Sequence, residues 1–135
     1  MVSRQVPTRK VDSAEARAYL AKAEEFLEAS RAALEAQQST AATSLAIHAA
    51  INAADVVTGL RMGQRASGPD HRQALSLLRQ AGKDGSEVEK NLTRLLQLKT
   101  RTEYEPDAVA LSDATRAVDR ATRCVQTARR VAASA

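Results

Sequence analysis

The positions of glycine and proline constrain this chain more than any other feature. All five glycines fall between residues 59 and 85, and the three prolines are Pro7, Pro69 and Pro106. Both residue types interrupt regular structure, so they mark the joints of the fold. The stretches between the joints are rich in alanine, the strongest helix former, which occurs 28 times in 135 residues. There is no Trp, one Phe and two Tyr, so the aromatic residues that favour strands are scarce. The expected fold is all-α, an up-and-down bundle of about five helices, three long and two short.

Residues 1–11 read as a flexible, basic N-terminal tail, and residues 12–135 as a single helical domain. A first helix is expected from Asp12 or Ser13, both good caps, to about Gln38. Its apolar stripe runs through Leu20, Ala23, Leu27 and Leu34. A second spans about Thr40 to Arg61, with Leu45, Ala49, Asn52, Val56 and Leu60 on one face. Asp70 to Gln80 predicts a short third helix, closed by Gly82 and Gly85. Ser86 and Glu89 have capping-box spacing and predict a fourth, also short, to about Leu98. The last, from Ser112 to Ala133, is the clearest: Leu111, Ala114, Val118, Ala121, Val125, Ala128 and Ala132 alternate three and four apart.

The formal charge is +4, a mild basic excess that permits RNA contact without requiring it. Cys124 is the sole cysteine, so no internal disulfide is expected and a reducing, cytoplasmic setting fits best. No apolar run is long enough to span a bilayer, and none resembles a secretory leader. There is no phosphate-binding glycine loop, nucleophile elbow or H-E-x-x-H helix. One Cys and two His do not supply a zinc site without carboxylates, so neither metal nor cofactor is expected.

Four constellations carry what chemistry there is. Ser44, His48, Asn52 and Asp55 are spaced four, four and three, which places them on one helical face. They form either a satisfied polar seam or a groove in which His48 meets a ligand or phosphate. Arg65 and His71 have R-x5-H spacing. That pair suits phosphodiester cleavage, one group moving a proton and the other stabilising phosphate charge. The plainer reading is a helix start at Asp70 or His71 with Arg65 in a solvated loop.

Lys99, Arg101 and Tyr104 lie where the fourth helix is expected to break. They hold either an anion or a partner carboxylate, or else Tyr104 anchors the joint on the core. Arg116, Arg120, Arg123 and Arg130 lie opposite the Ala/Val seam of the last helix, as a solvated face or as a contact for RNA or an acidic partner.

From about residue 13 to 133, the order of helices resembles the HEPN family, small helical domains found alone or beside nucleotidyltransferases in prokaryotes. The resemblance rests on the second-helix segment AIHAAINAAD, on GPDH before the third, and on the Ala-rich last helix. It rests also on KTRTEY, which is similar to the family's R-x-x-A-D-Y segment, with Lys99, Thr102 and Glu103 at its Arg, Ala and Asp positions.

The resemblance implies an up-and-down bundle, frequently dimeric, with roles in RNA-targeting defence or toxin–antitoxin systems. Catalytic members cleave RNA with R-x4-6-H near the start of the last long helix. Here no histidine follows Lys99 and Arg101, and Arg65–His71 stands at the joint before the third helix, where the family carries a non-catalytic His. The expected function is therefore a non-catalytic interaction module, a homodimer or the partner of another protein, such as a nucleotidyltransferase-type antitoxin, or of RNA. The alternative is a metal-independent endoribonuclease using His48 or His71 with nearby arginines.

Overall fold

The computed structural model describes residues 7–68 and 70–135. Its elements in chain order are β1 (Thr8–Lys10), α1 (Ser13–Glu35), α2 (Ser39–Met62), β2 (Gln64–Ala66), α3 (Arg72–Leu78), α4 (Gly82–Tyr104) and α5 (Leu111–Ser134). The fold is an all-α bundle of five helices with one two-stranded ribbon. Pairs across the bundle fix the helix directions. Arg17 reaches Ala132 and Arg31 reaches Thr122, so α1 and α5 are antiparallel. Arg61 near the end of α2 pairs with Asp84 at the start of α4, and Arg120 meets Asn91, so α4 runs opposite to both α2 and α5.

The central element is α2. It buries Ala42, Ala46, Ala49, Ala50, Ala53 and Ala54 together with Val56 and Val57. Alanine at these positions lets neighbouring helices approach closely, while bulk comes from Leu27, Leu92, Leu95 and Val125, all essentially inaccessible. Burial of each such leucine contributes about 1.5–3 kcal/mol. Of the five residues that share one predicted face of α2, Ala49 and Val56 are fully buried and Leu45, Asn52 and Leu60 are half-buried. Asp12 caps α1, its carboxylate accepting from the Glu15 amide at 2.8 Å. Gly63 ends α2 in the left-handed conformation, φ 70°, donating to the Gly59 carbonyl.

Two expectations are corrected. The fourth helix is long, 23 residues rather than about 13, giving four long helices and one short. It starts at Gly82, so Ser86 and Glu89 lie within it and form no capping box. The other correction concerns the basic segment at the start. Thr8–Lys10 pairs antiparallel with Gln64–Ala66 as a ribbon, and Val11 is buried at 4% exposure. The ribbon exists because Gly63 turns the chain back, letting Gly63 O accept from Val11 N at 2.9 Å. The earlier part of that segment, with Arg4, lies outside the described residues, as does Pro69. No helix among the described residues is long and apolar enough to cross a membrane.

Candidate functional site

The polar stripe of α2 is divided among three environments. Ser44 lines a shallow groove with Thr40, Thr102 and Ala108, where the start of α2 meets the end of α4. The exposed His48 ring stacks on Phe26 of α1, with centroids 5.4 Å apart and planes 30° from parallel. Asn52 turns its side-chain amide to the His48 carbonyl, one turn back on its own helix. Asp55 is buried at 8% exposure.

Asp55 faces Arg65 of β2, whose Nη1 lies 3.7 Å from Asp55 Oδ2. The same guanidinium stands over the Tyr19 ring of α1, 5.5 Å from its centroid, and Nη1 also donates to the Ala66 carbonyl. Among the described residues, Arg65 Nε is buried without a hydrogen-bond partner. Burial pushes the Asp55 carboxyl up to about 6, against the opposing pull of Arg65, Arg9 and Lys22. Arg65 thus ties α1, α2 and the ribbon together; the expectation that it sits in a solvated loop is replaced by this packed position.

His71 stands at the start of α3 in another setting. It lines a groove of about 620 Å³ between α3 and α4 with Asp70, Leu75, Thr93, Gln97 and Lys99. Arg65 does not line this groove, so the R-x5-H spacing places its two members in different surroundings. Burial holds the His71 imidazole below its ordinary value, and the positive charges of Lys99 and His48 add to this, while Asp70 and Glu103 oppose it. His71 is therefore neutral near pH 7. The structure brings together His71, Lys99 and, within electrostatic reach, His48, a grouping that linear spacing did not suggest.

The Lys99–Arg101–Tyr104 set is not assembled as one anion site. Lys99 is bonded to Glu103 at 2.9 Å, and Arg101 lies 3.9 Å from both Glu105 and Asp113. Tyr104, expected as an anchor on the core, is 75% exposed. The α4 helix continues to this point because Pro106 restricts only the residues just before it, and the tyrosine projects at the open end. Thr93 and Gln97 of the groove were missed by sequence reasoning. Their spacing of four on α4 is the one signal that places them beside Leu96 and Thr100.

Cys124 is packed in the α5 seam, where burial pushes its thiol up to about 12, so it is a core residue and not a nucleophile. Among the described residues no three His, Cys, Asp or Glu side chains are grouped to hold a metal.

An alanine-seamed helical bundle with an open polar groove between its short and fourth helices defines the class of this molecule. A family model, the HEPN domain, matches residues 16–133, nearly the whole chain. The chain belongs to the HEPN domain family. No curated protein matches it.

Proposed function

We propose that this HEPN chain is a non-catalytic interaction module, acting as a homodimer or with a partner protein in an RNA-related, toxin–antitoxin or defence setting. The observation that carries this reading is the position of Arg65. It is the only arginine separated from a following histidine by four to six residues, and its guanidinium is held by Asp55 and Tyr19 rather than offered to a substrate beside His71. Tyr104 and Leu111, 75% and 49% exposed, flank the α4–α5 connection and supply apolar surface for a second chain.

Sedimentation velocity over a concentration series tests the module. A self-associating wild type, and a monomeric Tyr104→Ser, Leu111→Ser variant of unchanged helix content, support it. A wild type that stays monomeric throughout contradicts the homodimer.

One observation favours the endoribonuclease as a second reading. His71, neutral near pH 7 and beside Lys99, has the protonation state of a general base with a cation to receive a phosphate.

A further inference from the structure

Asp55 and Gly59 stand four residues apart on α2, about one turn, so both lie on the face beneath the β1–β2 ribbon. Each receives one side chain from above. Val11, which follows β1, sits on Gly59: a Cβ there would stand 2.9 Å from Val11 Cγ1 and 3.3 Å from Ala16 Cβ. Arg65 of β2 faces Asp55. Elsewhere the ribbon is thinly attached. Thr8, Arg9 and Lys10 are exposed, and Val11 is the buried residue of this segment. The backbone bonds that close its two ends run from Ser67 N to Pro7 O and from Val11 N to Gly63 O, each 2.9 Å.

The charges under the ribbon do not satisfy one another. At 3.7 Å, Arg65 and Asp55 are beyond direct hydrogen-bond reach, and among the described residues Arg65 Nε is buried with no acceptor. Arg9 and Arg65 are cross-strand partners, a pairing of like charges that weakens a two-stranded ribbon. The charged groups that face Asp55 are Arg65 from β2, Arg9 from β1 and Lys22 from α1, with Arg65 standing over the Tyr19 ring of α1. Arg9 is shared with Glu15, at 3.1 Å in an exposed pair that adds little. Lifting β1 lets water reach a carboxylate and a guanidinium nitrogen that the closed ribbon leaves unmatched.

We propose that β1 with Val11 is a proton-controlled strap, held shut in acid and peeling from β2 as pH rises, so that the Asp55–Gly59 face of α2 is bared. The sign follows from burial. Covering Asp55 raises its carboxyl to about 6 against three opposing cations, so the covered form binds its proton more tightly than the open one. Acid therefore favours the closed strap, and closure weakens as pH climbs through about 6. A small unit with one buried apolar side chain opens locally and leaves the α5 seam intact. This inference does not rest on the interaction-module reading.

The test is native-state amide hydrogen exchange by NMR on the full chain at pH 5 and pH 7, with rates corrected for intrinsic exchange. The Val11 and Ser67 amides report the strap, and the amides of the buried α5 residues Val125 and Ala128 report global unfolding. Protection at Val11 and Ser67 is expected to lie far below that in α5, and to fall about tenfold from pH 5 to pH 7. In Asp55→Asn that fall should vanish. Gly59→Ala fills the Val11 seat within a helix that alanine favours. It should lower protection of both amides about tenfold at either pH and leave α5 unchanged. Four results each overturn the proposal: strap amides as protected as those of α5, protection that holds or rises with pH, the same fall in Asp55→Asn, or no effect of Gly59→Ala on Val11 and Ser67.

Discussion

Arg65 Nη1 lies 3.7 Å from Asp55 Oδ2, an ion pair formed across the chain reversal at Gly63 and half-sheltered by the Tyr19 ring. Sheltering changes what the pair does for stability. Desolvation of the carboxylate outweighs the attraction, which is why the Asp55 carboxyl rises from 3.8 to about 6.

A proton therefore binds Asp55 more tightly in the folded chain than in the unfolded one. The contribution of this group to stability is smallest above pH 6 and grows as pH falls from there toward 3.8. Relative to Asp55→Asn, the wild type should gain roughly 1 kcal/mol between about pH 8 and pH 5. Urea denaturation at the two pH values measures it. A gap that moves in the variant's favour on acidification would mean that the ion pair dominates.

His71 has the opposite dependence. Its folded value lies below the ordinary 6.5, chiefly through burial, so the stability it contributes is present above 6.5 and is lost as pH falls through the folded value. Its NMR titration midpoint should lie below that of a free imidazole, and Lys99→Met should move it upward. A midpoint unmoved by Lys99→Met would mean that Lys99 does not act on the groove.

Gly85 marks a close approach of α3 to α4. A Cβ there would stand 2.2 Å from the Leu78 carbonyl oxygen and 2.7 Å from Ala81 Cβ, contacts that a helix carrying any side chain cannot make. Alanine has a helix propensity advantage of about 1 kcal/mol, yet Gly85→Ala should destabilise by roughly 1–3 kcal/mol net. Chemical denaturation checks it; a stabilised variant would show that α3 moves aside without cost.

The same glycine explains where sequence reasoning failed. Gly82 and Gly85 read as breakers, but Gly85 sits inside α4 because a neighbour is too near, a tertiary cause that local pattern does not carry. The α5 seam was legible because burial there follows one helical period: Ala114, Val118, Ala121, Val125, Ala128 and Ala132 are all buried. Leu111, at the end of that seam, is 49% exposed. The family resemblance came from the order of helices and KTRTEY, and the family match agrees with it. The site was less legible. His71 and Lys99 are 28 residues apart in sequence, and only the packing of α3 on α4 joins them. The partner of Asp55 was hidden in the same way, since the ribbon that presents Arg65 is closed by Thr8–Lys10, which precede α1 and lie more than fifty residues away in sequence.

The most direct test of the non-catalytic reading is incubation of the purified chain with labelled single-stranded RNA in EDTA. Wild type and variants carrying His48→Ala with His71→Ala, and Arg65→Ala alone, are run side by side. Because Arg65 is held by Asp55 and Tyr19 away from the His71 groove, the RNA is predicted to remain intact in every lane. Cleavage by the wild type that disappears in the double histidine variant would contradict the account and establish a ribonuclease.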